Sequence, residues 1–208
     1  MHVKGLELAA YEPRRAVGQG LGYAVSNRGG CHLNGGYLVI LEGLGLNTDA
    51  QTPKAKADFT MLFQNLMEMI SASGQCLFTS YAFFPTILLK KPNGLLTKIV
   101  NAAIPHVGWA VRLINKIPRI CALHLPMFHH TKMFPLAVGM KMDFGRYIQI
   151  GERGYNLERY INTKFGISAD NDKLPKRLTN VSQDPKHPET KVPLETMKKT
   201  YYKARGWD

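Results

Sequence analysis

Between Phe59 and Ile70 the apolar residues Phe59, Leu62, Phe63, Leu66, Met67 and Ile70 recur three and four apart. That period lays them along one side of an α-helix, whereas successive residues of a strand would point to opposite faces. A chain with such a stripe must bury it against another layer. The spacing predicts a helix opening at Thr52, whose hydroxyl can cap it, with Pro53 at the first helical position. Gly74 suits a left-handed stop after Ser71, Ala72 and Ser73. The Cys76 thiol then falls in a tight turn before a second apolar stretch, Leu77 to Leu89.

The rest of the chain reads mostly as helix. Leu95 to Ile117 is too interrupted, by Thr97, Lys98, Asn101, Pro105 and Arg112 among others, to suggest a membrane span. It predicts two helical pieces broken near Pro105. Cys121 to Met142 is apolar without a strong period. A polar helix is expected from Tyr155 to Phe165, stopped by Gly166. Asp170 to Pro193, with Pro175, Pro185, Pro188 and Pro193, reads as a surface loop. A last helix, Leu194 to Arg205, carries Leu194, Met197 and Tyr201 on one face. Period-two signals are sparse and no solenoid repeat is present. The expected fold is all-α, a single helical domain over residues 1–208.

Of the 208 residues, 45% are hydrophobic and 20% charged, enough for a core and against wholesale disorder. The formal net charge of +12 admits anionic partners without selecting one. The cations from Lys173 to Lys203 alternate with prolines and acids and lack interleaved aromatics, so a solvated face is expected there rather than a nucleic-acid interface. Three Cys form no closed disulfide set, and no secretory signal opens the sequence. A cytoplasmic protein with no nucleic-acid and no membrane partner is expected.

Four features could carry chemistry. Ten glycines crowd the first 50 residues, which suits backbone that turns sharply or approaches a ligand. Gly18-Gln19-Gly20-Leu21-Gly22 nevertheless lacks the ending of a phosphate loop and the spacing of a dinucleotide fingerprint. His32 follows the compact turn Ser26-Asn27-Arg28-Gly29-Gly30-Cys31; it can serve as general acid or base, or be a loop histidine bonded to backbone. Cys76 can be a metal thiolate or a small buried hydrophobe, and one thiol falls short of the roughly four ligands of a structural metal centre. Cys121-x-x-His124 with His129 and His130 forms a loose metal set without a second pair at standard spacing.

Several ordered stretches carry a resemblance. These are Val3-Lys4-Gly5-Leu6-Glu7, Tyr11-Glu12-Pro13-Arg14, Gly18-x-Gly20-Leu21-x-Tyr23-Ala24-x-Ser26-Asn27-Arg28-Gly29-Gly30-Cys31-His32-Leu33, Ile150-Gly151-Glu152-Arg153-x-x-Asn156-Leu157-Glu158-Arg159, Leu174-Pro175-Lys176-Arg177 and Tyr201-Tyr202-x-x-Arg205-Gly206-Trp207-Asp208. Together they resemble the C-terminal domain of the tungsten-containing aldehyde:ferredoxin oxidoreductases. Phe78 to Phe144 carries no recognised motif.

The resemblance implies a bis-pterin tungsten (or molybdenum) centre that oxidises an aldehyde to a carboxylic acid and passes electrons through a [4Fe–4S] cluster to ferredoxin. The family's Asp-x-x-Gly-Leu-Cys motif falls on Ser71-Ala72-Ser73-Gly74-Gln75-Cys76. It implies Cys76 as the metal ligand to the cluster, Ser71, Gly74, Gln75 and Leu77 as cofactor-binding residues, and His32 as the catalytic residue. Ser71 stands where the family has Asp, and a hydroxyl accepts weaker bonds than a carboxylate. Gln75 stands for Leu, and Asn34 for a commonly basic residue. The resemblance implies that the family's N-terminal pterin-cradling domain and its middle domain, with three further cluster cysteines, are to be expected outside the 208 residues. The implied partners are therefore a chain carrying those domains, ferredoxin and an aldehyde, with no cofactor bound by this chain alone. The alternative is a non-catalytic relic or interaction module that keeps the fold.

Overall fold

The computed structural model describes residues 1–44, 46–76, 78, 86–122 and 129–207, with the side chains of 86, 89 and 129–131 left aside. These residues are mostly helical, as the periodicity predicts. The chain opens with a two-residue hairpin, β1 (His2–Val3) paired antiparallel with β2 (Leu6–Glu7). Lys4 and Gly5 both take positive φ, 50° and 83°, the left-handed pair that a two-residue hairpin turn requires.

The glycine-rich segment then forms a helix, α1 (Val17–Val25), with all nine residues buried. This departs from the expectation of sharp turns or ligand approach. Gly20 abuts the Val192 side chain, and a Cβ at Gly22 would overlap the carbonyl of Gly35. The small residues let neighbouring backbone close in on a fully enclosed helix. Glu42 supplies the N-terminus of α1 with its missing acceptors: its Oε1 accepts from the Gly18 N–H at 2.8 Å and Oε2 from the Gln19 N–H at 3.1 Å.

The apolar stripe forms α2 (Lys56–Ala72), beginning later than Thr52 and Pro53 predict. Its N-cap is Ala55 in the left-handed conformation, with no side-chain cap. The start is set by tertiary structure: the buried Lys56 ammonium pairs with the buried Glu42 carboxylate at 2.6 Å. Burial pushes the Glu42 carboxyl up, and Lys56 opposes that shift.

After α3 (Thr86–Lys90), the pieces expected around Pro105 are α4 (Leu95–Ala103), a 3-10 turn at Ile104–His106, and α5 (Gly108–Lys116). A 3-10 turn at Pro118–Ile120 and α6 (His129–Val138) follow. Next comes α7 (Phe144–Lys164), eleven residues longer at its start than the polar pattern from Tyr155 indicates. Asp143 caps it, accepting from the Arg146 N–H at 2.7 Å. Gly145, Gly151 and Gly154 weaken the helical signal of its first half, and they are what allows it to pack. A Cβ at Gly145 would overlap the carbonyl of Pro118, one at Gly151 the carbonyl of Asn65. The α2–α7 pair is the principal helix contact.

The proline-rich segment is not merely a surface loop. It contains α8 (Lys176–Asn180), buries Leu174, Leu178 and Val192, and encloses Asp172 completely. Asp172 receives Lys4 at 2.5 Å and Arg159 at 2.9 Å, along with the Tyr202 hydroxyl. The last helix, α9 (Leu194–Arg205), matches its expected bounds and ends on Gly206 with φ 67°. No described helix is long and apolar enough to cross a membrane.

Candidate functional site

Two segments meet where α2 ends. The first is the loop after α1. Gly29 takes φ 81°, which few side chains tolerate, and Gly30 lies against the β2 backbone. The backbone returns on itself as the Gly35 N–H donates to the Cys31 carbonyl at 3.0 Å and the Tyr37 N–H to the His32 carbonyl at 2.8 Å. The half-buried His32 ring is left between Tyr11 and Tyr37, with centroids 5.4 and 5.6 Å away. The tyrosine hydroxyls are 3.3 Å apart. Burial holds the His32 pKa below its ordinary value, which favours the neutral imidazole. A neutral imidazole can accept a proton, the chemistry expected of a general base.

Asn34 ties this loop to α7. Its Oδ1 accepts from Ser26 Oγ at 2.8 Å and from the Arg28 N–H at 3.3 Å. Its Nδ2 donates to Glu158 Oε2 at 3.1 Å. The buried amide thus both accepts and donates, a pairing that a basic side chain could not reproduce. Arg28 lies 3.7 Å from Glu158 as well.

The second segment is the end of α2. The Gln75 N–H donates to the Ile70 carbonyl at 3.2 Å and the Gly74 N–H to Ser71 at 3.1 Å. Gly74 has φ 71°, completing the left-handed stop predicted from the sequence. Ser71 and Cys76 are exposed. Leu77, expected to bind cofactor, lies outside the described residues, as does His124. A small hollow joins the two segments, lined by Arg28, Leu33, Asn34, Met67, Glu68 and Ser71. Ser71 therefore meets the neighbours of His32.

Glu68 and Glu158 belong to this site, and sequence reasoning did not assign either to it. Glu68 Oε2 is buried without a partner among the described residues. Its pKa stands above the usual carboxyl value, chiefly through burial and further through Glu158, with Arg28 opposing. A carboxylate one position off the apolar stripe of α2 was the available signal for Glu68.

These residues suit one wall of a cofactor site. Glu68 Oε2 and Gln75 Oε1 are both buried acceptors lacking a partner among the described residues, and a pterin is rich in N–H donors. Cys76 adds one thiol. The hollow holds about 10 Å³, room for one water and not for a pterin, so such a group would lie on this surface rather than inside it. Among the described residues no three His, Cys, Asp or Glu side chains gather as a metal site. Cys121 is buried with its thiol pKa raised by burial, the behaviour of a packing residue.

A helical scaffold presenting one thiol and buried acceptors near a tyrosine-flanked histidine has the donor set of part of a cofactor site, not of a complete one. Residues 1–208 match the family model described as aldehyde ferredoxin oxidoreductase, domains 2 and 3, and the chain belongs to that family. It is 35% identical over 217 residues to the tungsten-containing aldehyde ferredoxin oxidoreductase of Pyrococcus furiosus. It is 34% identical over 215 residues to the protein of that name from Thermococcus kodakarensis. Each match covers 100% of this chain and 28% of the relative, so the chain spans little more than a quarter of those proteins' length.

Proposed function

We propose that the chain is one helical domain of a tungstopterin and iron–sulfur oxidoreductase, working with further domains of the family to oxidise aldehydes to carboxylic acids and reduce ferredoxin. The observation that carries this reading is the match over the full chain, combined with an exposed Cys76 directly after the Gly74 stop of α2.

When bound, the tungsten–pterin and cluster would take up the two electrons released as aldehyde and water become acid and protons. This chain's part is to bind and to move protons. Cys76 would contribute one thiolate, held at the mouth of the turn. Glu68 Oε2 and Gln75 Oε1, acceptors without a partner among the described residues, would accept from N–H donors of the group, with Ser71 adding a weaker acceptor. His32, kept neutral by burial, would take a proton from the reacting water or aldehyde.

Coexpression with a polypeptide carrying the remaining family domains tests the reading. Aldehyde-dependent ferredoxin reduction that requires both components supports it. A module that keeps the fold without the cofactor is the second reading, favoured by Ser71 in the position of the family's Asp; it predicts stable association without tungsten, iron or turnover.

A further inference from the structure

Between residues 69 and 142 the sequence holds eight Lys and Arg residues and no Asp or Glu. Within it, the fully buried residues of α4 and α5 are few, and most are polar or small. Thr97 is buried on α4, and Gly108, Val111 and Asn115 on α5. Asn115 Nδ2 donates to the Asp58 carbonyl at 2.9 Å, and Arg112 is engaged by the Asp58 carboxylate at 2.9 Å. Val100, Ile104 and Ile114 pack partly buried against the core, while the remaining large apolar groups point outward. Leu95 is 76% exposed, and Ile99 is exposed four residues on. On α5 and its end, Trp109 is 71% exposed, with Leu113 and Ile117 following at the same spacing. Lys98, Lys116 and Arg119 are exposed beside them, with no ion pair among the described residues.

We infer that this face is a docking surface for an anionic lipid bilayer. Short helices with aliphatic side chains and a Trp on the outer side, flanked by cations, lie in the headgroup boundary without spanning it. An unbroken run of one sign suits a uniformly negative surface, and each Lys or Arg near it adds attraction. Nucleic acid is a poorer match, because the groups between the cations are mostly aliphatic and cannot stack on bases. The face is distant from the candidate cofactor wall: α5 grips Asp58 near the start of α2, and Ser71 lies thirteen residues on, about 20 Å along the helix. The expectation of no membrane partner rested on the lack of a spanning segment, which docking of this kind does not need.

The test is cosedimentation of the 208-residue chain with vesicles of phosphatidylcholine alone and of phosphatidylcholine mixed with phosphatidylglycerol. Partition into the mixed vesicles alone is expected, weakening as salt rises, with a blue shift of fluorescence that Trp109→Phe removes. Replacing Lys98, Lys116 and Arg119 by Gln should lower partition by about 100-fold, roughly fivefold per charge. Circular dichroism would establish that this variant remains folded. Equal partition into both vesicle types, no partition into either, or partition unchanged in the triple variant would overturn the inference. So would a stable self-association that hides Trp109 and excludes lipid.

Discussion

Gly151 on α7 rests directly on the backbone carbonyl of Asn65 on α2, leaving no room for a Cβ. The two helices therefore run close together, and this contact sets the register that brings Glu158 near Glu68. Gly151→Ala should force them apart or bend one. Overpacking of this kind costs about 1–3 kcal/mol, occasionally more. A urea titration should show the midpoint falling with little change in slope; a variant as stable as the parent would mean the helices are not so close.

Glu68 links that register to pH. Its folded pKa lies above its unfolded one, so the native state binds more protons between the two. Stability then falls as pH rises from the ordinary carboxyl value of about 4.5 through the folded pKa, and stays lower beyond. Glu68→Gln should raise the melting temperature at neutral pH and leave it nearly unchanged below pH ~4. Melting curves across that range would decide it, and an equal change at both ends would remove the electrostatic explanation.

Asp172 is the anion on which Lys4 and Arg159 converge in the interior. Asp172→Ala strands two buried cations, and breaking a buried pair typically costs about 3–5 kcal/mol. The expected result is a large loss of the urea midpoint, with residues 1–7 exchanging amide hydrogens faster because Lys4 loses its anchor. A loss below about 1 kcal/mol would show that water already screens the site.

How much of this was legible beforehand differs by element. Helix α2, the break near Pro105 and the bounds of α9 follow from periodicity and punctuation. The first half of α7 was hidden because Gly145, Gly151 and Gly154 look like helix breakers, yet serve close packing that no single-sequence pattern reveals. The same holds for Gly20 and Gly22 in α1. Lys56 and Glu42 moved the start of α2 away from Thr52 by pairing across the fold. At the candidate site, His32, Ser71 and Cys76 were marked by their neighbours in sequence. Glu68 and Glu158 were not, because their link is spatial, across 90 residues of chain.

Asn34 is tied down on both sides of its amide, by Ser26 and by Glu158. Asn34→Ala should cost about 1–3 kcal/mol, since it leaves buried polar partners unsatisfied. Asn34→Asp should recover the Ser26 bond and lose the Glu158 one, placing two carboxylates together. Its stability should therefore recover toward the parent as pH falls. Thermal melts at neutral and acidic pH would distinguish the two variants; identical pH profiles would contradict the bonding described.

The assignment of Cys76 as a cluster ligand is the centre of the account, and iron analysis of the assembled enzyme tests it most directly. In a complex of this chain with the remaining family domains, Cys76→Ser should lower iron content and abolish ferredoxin reduction. His32→Ala should retain the iron and slow aldehyde oxidation by roughly 10²–10⁴-fold. If Cys76→Ser leaves both iron content and ferredoxin reduction at the parent's level, Cys76 is no ligand and the account fails.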